Sequence, residues 1–479
     1  MPLPWPSSTG PSLASRPRSE GWPLGQNEAV TPFLVGLVLA QGQIADDIFV
    51  ARPSVQLGSG APGTAAIVWA SKPRKSFRVA FGRGQFAEAT QLRTVDVPST
   101  PSHEVWSAQV GPSEPGSTVH YAVQSGGSTV FRSSFDLPKT DKLRAVVFGD
   151  CGFGTRQQKE VAHQAWLQKP QLTLITGDIV YDHGRVSEYR TRFWPQYFET
   201  TPGPSRGAPL ASQSVTVAVP GNHDTLYRNL GKYPDGLAYF YYWNQPLNGP
   251  LTVPGAKNTP VLSGPVEAQE RFLSNAGPSY PRAANFSFEF GDTFWVVLDA
   301  NPYVNWNDPV MRGWLEKELE KGRKKTWRFA SWHQPPFHSS KKDQDYRAMR
   351  SVVETLAKGG ADVVFCGHVH NYQRTHPVLI DGMEGASPSR LAIGDWKFDR
   401  EFDGRTVTKT RGIVFIIEGA GGGPIYDPQF ADKPETWKPW TAVYKARHGF
   451  GVMDIVGRKL TYRHLGTDGR PKDEWVLTK

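Results

Sequence analysis

The sequence predicts two domains, a small all-β domain followed by a larger α/β domain. Three observations predict this architecture. The chain has 479 residues, too many for one ordinary hydrophobic core. Short apolar runs separated by Gly, Pro and Ser fill residues 53–137, without a long helical pattern between them. From residue 143 onwards, β-rich apolar runs alternate with helical patterns.

The composition indicates a folded protein and excludes several functional classes. Hydrophobic residues make up 38% of the chain and aromatic residues 12%, enough to bury a sizeable core. No apolar run reaches the roughly 20 residues that a membrane-crossing helix needs, so no membrane span is expected. The net charge is +9, but the basic residues are scattered and no nucleic-acid-binding motif accompanies them, so no nucleic-acid partner is expected.

Residues 1–50 differ from the rest of the chain and predict an irregular segment. Seven prolines fall within the first 32 positions, and no periodic pattern is present. The stretch VTPFLVGLVLAQGQ at 30–43 has an apolar part as long as that of a secretory signal, and a small residue follows it at Ala40. Either this stretch is a secretory signal, which would make the protein secreted or periplasmic, or it is a tail that docks on the following domain.

Residues 51–138 predict a small antiparallel β-sandwich. The runs at 77–81 and 118–124 alternate apolar and polar residues, which is typical of half-buried strands. Turn residues separate all the runs, so the pattern indicates a sandwich of the immunoglobulin or fibronectin type III kind. The segment LPKTDK at 137–142 is interpreted as the linker to the second domain.

Residues 143–479 predict an α/β domain with sheets covered on both faces, because continuous apolar strands alternate with helices. The predicted helices lie at 157–168, 308–322 and 345–358, and residues 225–284 are interpreted as a long insertion or lid. A closing hairpin is expected within 450–465. The predicted strands are 144–148, 172–176, 215–219, 294–298, 327–332, 362–366 and 413–417.

Polar side chains with metal-binding chemistry follow five of these strands. In open α/β sheets, sites form beyond the carboxyl ends of strands, so these side chains are expected to converge. Nitrogen and oxygen donors without a thiolate favour Fe, Zn, Mn or Mg over a structural zinc cage. Seven ligands exceed the needs of one ion and fit two ions that share a bridging carboxylate. The seven candidates are Asp150, Asp178, Tyr181, Asn222, His333, His368 and His370.

The segments GDCG, GDIVY, GNHD and GHVH, with a histidine after a further strand, resemble the motifs of the calcineurin-like metallophosphoesterases. Tyr181 narrows the resemblance to the purple acid phosphatases, which have a tyrosine at this position of the second motif. The resemblance covers about residues 51–479. It implies a four-layer α/β/β/α catalytic domain at 143–479, and at 51–138 a sandwich similar to the amino-terminal domain of the larger members.

The resemblance also implies the ligand set and the chemistry. The first metal would be Fe(III), held by Asp150, Asp178, Tyr181 and His370, with Asp178 as the bridge. The second metal would be a divalent Fe, Zn or Mn. Its further ligands would be Asn222, His333 and His368.

The implied activity is hydrolysis of small phosphate monoesters by attack of a metal-bound hydroxide. His223 lies next to ligand Asn222 and is the candidate that protonates the leaving group or stabilises its charge, with His338 as the second candidate. Tyr181 could instead serve only for packing, and His338 could be a histidine of a surface loop.

The same residues are also compatible with two other functions. A phosphodiesterase or nucleotide pyrophosphatase would use the same metal site with a different pocket. A non-catalytic scaffold would keep the fold for binding, although such proteins usually lose ligands and none of the seven is missing here. The sequence does not indicate an oligomeric state.

Overall fold

The structure is a computed structural model that describes residues 47–251 and 258–479, apart from residues 75 and 99. The predicted irregular segment lies outside the described residues except for its last four positions, and the secretory interpretation of 30–43 lies entirely outside them. None of the described helices is long and apolar enough to cross a membrane.

The described residues contain strands throughout and several helices. The strands are β1 Phe49–Gln56, β2 Ala65–Ser71, β3 Arg78–Phe81, β4 Gln85–Glu88, β5 Thr90–Val95, β6 His103–Val110, β7 Thr118–Ser125, β8 Ser128–Asp136, β9 Lys142–Phe148, β10 Leu172–Ile175, β11 Val215–Ala218, β12 Phe286–Phe290, β13 Thr293–Val297, β14 Trp327–Ser331, β15 Val363–Cys366, β16 Tyr372–Thr375, β17 Val378–Leu379, β18 Lys397–Phe398, β19 Val414–Glu418, β20 Thr441–Lys445, β21 Gly449–Val456, β22 Lys459–Gly466 and β23 Pro471–Thr478.

The α-helices are α1 Arg156–Leu167, α2 Val186–Glu188, α3 Trp194–Tyr197, α4 Leu210–Gln213, α5 Asn222–Thr225, α6 Tyr239–Tyr242, α7 Val266–Ala276, α8 Pro309–Lys321, α9 Val353–Lys358 and α10 Pro388–Ile393. A π-helical turn spans Tyr189–Phe193. Short 3₁₀ helices span Tyr280–Arg282, Gly322–Lys324, Ala348–Val352, Pro428–Phe430 and Pro434–Thr436.

Local sequence explains where the two longest central helices begin. Helix α1 starts after Thr155, whose hydroxyl accepts a hydrogen bond from the backbone of Gln158 at 3.1 Å. Helix α8 starts after Asp308, which caps the backbone of Val310, and has a proline at its first position. Both are the side-chain caps that free N–H groups at a helix start require.

Two large sheets form the centre of the molecule. Among the described residues, one has the strand order β23-β22-β21-β9-β10-β11-β1-β2-β6-β5, and the other has the order β12-β13-β14-β15-β19-β16-β20. Strands β9, β10 and β11 are mutually parallel, as are β13, β14, β15 and β19. Parallel strands joined through helices bring their carboxyl ends to one edge of each sheet.

The hydrophobic clusters show a helix–sheet–sheet–helix order of layers. Val147 of the first large sheet and Trp295 of the second belong to the cluster between the sheets. Val161 of α1 belongs to the cluster on the outer face of the first sheet. Leu315 of α8 and Leu356 of α9 belong to the cluster on the outer face of the second. The predicted α/β architecture is therefore confirmed.

The amino-terminal strands form two antiparallel sheets, but one of them is continuous with the α/β part. Strand β1 pairs in parallel with β11, with Val55 opposite Val215. The ten-stranded sheet therefore runs across the predicted boundary between 51–138 and 143–479. The smaller sheet, ordered β4-β3-β7-β8, shares the central hydrophobic cluster. The domain division and the immunoglobulin or fibronectin type III kind stay predictions.

The sequence predicted that residues 225–284 form either an insertion or a lid. In the structure, the described helices of this segment pack on a face of the amino-terminal part of the ten-stranded sheet. Tyr239 and Phe240 of α6 and Phe272 of α7 are buried in the same cluster as Val68 and Val105 of the amino-terminal sheet. This layer explains why every residue of β2 is buried. The predicted hairpin at the end of the chain is confirmed by the antiparallel pairing of β21 with β22.

A buried ion pair joins the two large sheets. Arg374 of β16 donates to Asp473 of β23, with 2.8 Å between Nε and Oδ2, and both side chains are less than one-tenth exposed. The hydroxyl of Tyr372 donates to the same carboxylate at 2.8 Å. Burial opposes ionisation of Asp473, but the Arg374 guanidinium and the hydrogen bonds hold its pKa below the ordinary value.

We predict that Asp473→Leu lowers the free energy of unfolding by about 3–5 kcal/mol, because it leaves the buried Arg374 charge without a partner. Urea unfolding at pH 7 measures the loss. The stabilisation from Asp473 should be complete above the unfolded-state pKa and be lost only as the pH falls through the lowered folded-state pKa.

Asp468→Leu is the matched control, since it removes an exposed pairing with Lys472 at 2.7 Å and should leave the midpoint nearly unchanged. The double variant Arg374→Met with Asp473→Leu should recover most of the loss. Equal effects of Asp473→Leu and Asp468→Leu would contradict this account of the buried pair.

Candidate metal centre

The predicted ligands follow strand ends in both large sheets. Asp150 follows β9, Asp178 follows β10, and Asn222 begins α5 after β11. His333 follows β14 in the second large sheet, and the loop after β15 carries His368 and His370. The structure brings the donor atoms of all seven predicted ligands into one largely buried cluster, as the following distances show.

The hydroxyl of Tyr181 is the centre of the first group of ligands. It lies 3.0 Å from Oδ1 of Asp150, 2.8 Å from Oδ2 of Asp178 and 3.1 Å from Nε2 of His370. Two carboxylates, an imidazole and a phenol therefore converge within hydrogen-bonding distance of one oxygen. The Tyr181 ring also stacks on Phe153, with 3.8 Å between centroids, so packing and a ligand position are compatible.

The second group shares Asp178 with the first. Nε2 of His333 lies 3.2 Å from Oδ2 of Asp178, and Nδ1 of His368 lies 2.9 Å from Oδ1 of Asn222. Donor atoms of Asp178, His333 and His368 all lie within 4.8 Å of one another. One carboxylate thus faces both groups, which is the arrangement that a bridging ligand needs.

The donor set fits metal ions. Nε2 of His333 is buried, and apart from the Asp178 carboxylate at 3.2 Å it has no partner in hydrogen-bonding geometry among the described residues, while Nδ1 of the same ring bonds to the Thr176 carbonyl at 2.8 Å. A buried polar atom without a partner is costly unless another group, such as a cation, satisfies it. Imidazole, carboxylate, amide and phenol donors suit Fe, Zn or Mn.

The backbone at the cluster is unusual in the way that functional sites often are. Asp150, Asp178 and His368 have φ values of 56°, 49° and 68°, a left-handed conformation that non-glycine residues seldom adopt. The glycines before them leave room for the ligands. A Cβ on Gly177 would lie 2.4 Å from Nδ1 of His333, and one on Gly367 would lie 2.7 Å from Oδ2 of Asp150.

The charges of the cluster favour a bound cation. Burial and the negative charges of Asp150 and Asp178 raise the pKa of Tyr181 well above 10. Burial lowers the pKa of His333, but the attraction of Asp178 and Asp150 outweighs it and raises that pKa to about 9. A site with this excess of negative potential holds protons when it holds no metal, and it would exchange them for cations.

His223 lies at the partly exposed side of the cluster. Its Nδ1 lies 2.7 Å from the carbonyl oxygen of Asp182, and its Nε2 lies 3.9 Å from Oδ2 of Asp178. The centroid of its ring lies 4.3 Å from that of the Tyr181 ring, and 25% of the His223 side chain is exposed. Because Nδ1–H donates to a carbonyl, Nε2 is the nitrogen free to act toward a molecule in the site.

His338 is buried rather than placed on an open loop. Burial, followed by repulsion from His368, lowers the pKa of His338 to about 4. Its Nδ1 has no hydrogen-bond partner among the described residues. His338 is only 3% exposed, whereas His223 lies at the partly exposed side of the cluster, so the geometry favours His223 over His338 as proton donor to a leaving group, and a catalytic role for His338 stays a prediction.

Other side chains hold the site loops in place. The amide nitrogen of Asn301 donates to Oγ1 of Thr225 at 2.9 Å and approaches the carbonyl of Gly221 at 3.3 Å, next to the loop with Asn222 and His223. Asn301 comes shortly after β13, and this position near a strand end is a sequence feature that indicates a residue close to the site. Glu188 accepts backbone hydrogen bonds from the loop that follows Tyr181, and no motif indicates this role.

The comparisons with known proteins agree with this geometry. Residues 143–372 match the family model described as calcineurin-like phosphoesterase. The chain is 25% identical over 284 residues to purple acid phosphatase 23 of Arabidopsis thaliana, covering 54% of each protein. It is 34% identical over 285 residues to purple acid phosphatase 15 of the same plant, covering 54% of this chain and 46% of that protein.

The chain spans about half the length of these two relatives. A purple acid phosphatase, PPD1 from yellow lupin (Lupinus luteus) seeds, has a similar fold, with a TM-score of 0.61 and 16% sequence identity over 89% of this chain and 74% of that one. The resemblance to purple-acid-phosphatase-like metallophosphoesterases inferred from the motifs is thereby confirmed.

We predict that Gly177→Ala weakens metal binding by at least tenfold, because the added methyl group would displace His333 and because φ at this position is +98°. Metal analysis after dialysis measures the effect. Gly313→Ala is the matched control, since an added Cβ there has no heavy atom within 4 Å. Unchanged metal content in Gly177→Ala would contradict the close packing of this loop on His333.

Proposed function

Since residues 143–372 match the calcineurin-like phosphoesterase family model and the chain resembles the purple acid phosphatases, we propose that the protein is a binuclear metal-dependent phosphomonoesterase. The convergence of all seven predicted ligands on one largely buried cluster carries the proposal. In particular, Asp178 contacts donors of both groups, with 2.8 Å to the Tyr181 hydroxyl and 3.2 Å to Nε2 of His333.

The proposed metal centre divides the ligands into two sets. Asp150, Tyr181 and His370 would hold the first ion together with Asp178, and an anionic phenolate oxygen is suited to Fe(III). The second ion, divalent Fe, Zn or Mn, would be held by Asp178 together with Asn222, His333 and His368. When bound, two such cations polarise a phosphoryl oxygen and acidify water.

The protein side chains have separate tasks in the proposed reaction. Backbone hydrogen bonds fix the carboxylates, since Oδ1 of Asp178 accepts from the backbone of His223 at 2.8 Å and Oδ2 of Asp150 accepts from that of His368 at 2.8 Å. The Asp182 carbonyl holds the His223 ring, so that a proton on Nε2 can be given to the leaving oxygen of a phosphate ester.

The substrate class follows from the same site. A small phosphorylated molecule can approach from the partly exposed side, where His223 lies. Residues 30–43 resemble a secretory signal, and on this basis the proposed enzyme would be secreted or periplasmic. The phosphodiesterase alternative uses the same ligands, and an activity test distinguishes it.

The test compares p-nitrophenyl phosphate with bis-p-nitrophenyl phosphate, using protein loaded with Fe, Zn or Mn and the metal-free protein as the control. The proposal requires metal-dependent hydrolysis with a higher kcat/KM for the monoester. A higher kcat/KM for the diester would favour the phosphodiesterase alternative. Absence of hydrolysis of either ester by protein that holds two ions would favour the non-catalytic scaffold.

We predict that His223→Ala lowers kcat by about 10²–10⁴-fold while both metal ions are retained, because proton transfer to the leaving group is lost. Steady-state kinetics and metal analysis of the same preparation measure the two effects. The exposed His120→Ala on β7 is the control and should leave both unchanged. Loss of metal from His223→Ala would assign the residue a structural role instead.

We also predict that the iron-loaded protein has a visible absorption band from the Tyr181 phenolate and that Tyr181→Phe removes it. The absorption spectrum, recorded beside an iron determination, measures this. Tyr426→Phe is the matched control, because the Tyr426 ring stacks 4.0 Å from His370 without belonging to the ligand set. A colourless wild-type protein with bound iron would exclude the phenolate ligand.

A further inference from the structure

A carboxylate outside the seven predicted ligands contacts one of them. Asp343 lies in the loop between β14 and the 3₁₀ helix at Ala348–Val352, and its Oδ2 lies 2.7 Å from Nε2 of His368. We propose that Asp343 is a positioning residue of the second metal site, which holds the His368 ring with Nδ1 directed at the bound ion. This inference rests on the metal centre of the proposed function and does not depend on hydrolysis.

The hydrogen bond to Asp343 determines which nitrogen of His368 can bind a metal. An ionised carboxylate only accepts hydrogen bonds, so Nε2 of His368 carries the hydrogen and a neutral ring keeps its lone pair on Nδ1. That lone pair faces Oδ1 of Asn222 at 2.9 Å. With His368 in this tautomer, an ion placed between Nδ1 and the Asn222 oxygen would be bound by both residues.

The other two histidine ligands are held in the same way. Nδ1 of His333 bonds to the Thr176 carbonyl at 2.8 Å, and Nδ1 of His370 bonds to the Pro424 carbonyl at 2.8 Å. In each ring, one nitrogen is fixed by an oxygen and the other faces the cluster. A partner of this kind orients a ligating imidazole and raises its basicity. The partners of His333 and His370 are backbone carbonyls, whereas the partner of His368 is the Asp343 side chain. A substitution can therefore remove the partner of His368 alone.

The loop that carries Asp343 is itself fixed to the loop that supports His370. The carboxylate of Asp427 accepts a hydrogen bond from the backbone of Lys341 at 2.9 Å and another from the hydroxyl of Ser340. Asp427 lies three residues after Pro424, whose carbonyl holds His370. One pair of connected loops therefore sets the orientation of both histidines of the GHVH segment.

The experiment titrates Zn²⁺ into the metal-free protein in the presence of a competing chelator and follows both binding steps. Asp343→Ala should weaken one of the two steps by about 10–100-fold and leave the other unchanged. Asp343→Asn should weaken the same step less, because its amide oxygen still accepts a hydrogen bond from His368. Asp345→Ala is the matched control, since Asp345 is 96% exposed and forms a surface ion pair with Arg347 at 3.2 Å.

Structural damage is separated from positioning by thermal unfolding of the metal-free variants. The Asp343 side chain is 44% exposed, so the unfolding temperature of both Asp343 variants should stay that of the wild type. Should Asp343→Ala unfold at a lower temperature, the isosteric Asp343→Asn still tests the proposal against Asp345→Ala.

Three results would overturn the proposal. One is a Zn²⁺ affinity of Asp343→Ala within twofold of the wild type, and another is an equal loss in Asp343→Ala and Asp343→Asn, which would show that charge alone acts. A wild-type protein that binds fewer than two Zn²⁺ ions would overturn it together with the metal centre. A wild-type protein that binds two ions but hydrolyses no phosphate ester would refute the proposed function while leaving this inference testable.

Discussion

The buried carboxylate of Asp178 is the constraint on which the site depends. Its Oδ1 accepts from the backbone of His223, while its Oδ2 faces both the Tyr181 hydroxyl and Nε2 of His333. These partners come from three strand ends in two different sheets. Movement of one sheet relative to the other would lengthen these contacts. The large apolar layer between the sheets therefore serves the site by fixing the distance between its two halves.

The motifs made much of this centre predictable, because each consists of a glycine and a ligand directly after a buried strand. The physical reason is visible at Gly177, where any side chain would enter His333. Strands β9, β10, β11, β13, β14, β15 and β19 were predictable from continuous apolar runs. Strands such as β16 (YQRT) and β23 (PKDEWVLT) were not, since they contain charged residues, and Arg374 and Asp473 are satisfied by each other between the two sheets.

Partners that are distant in the sequence also limited prediction at the site. The Asp182 carbonyl that holds His223, and the Asp343 carboxylate that holds His368, contact their partners across 41 and 25 positions of chain. Nothing in the local sequence indicates either contact. His338 shows the reverse case, because a polar loop sequence gave no sign that tertiary packing buries the ring and holds it neutral. Residue type and strand position predict ligands, whereas the groups that orient ligands require the folded chain.

The parallel pairing of β1 with β11 has a consequence for dissecting the molecule. A fragment beginning at residue 142 would lose β1, β2, β5 and β6 and leave β11 as an open edge strand. That strand reads VTVA, and all four residues are buried in the intact protein. A bare, apolar edge of this kind invites pairing with other chains. The amino-terminal strands thus protect the edge of the sheet that carries Asp150, Asp178 and Asn222. Soluble expression of the α/β part alone would require another element that pairs with or shields β11.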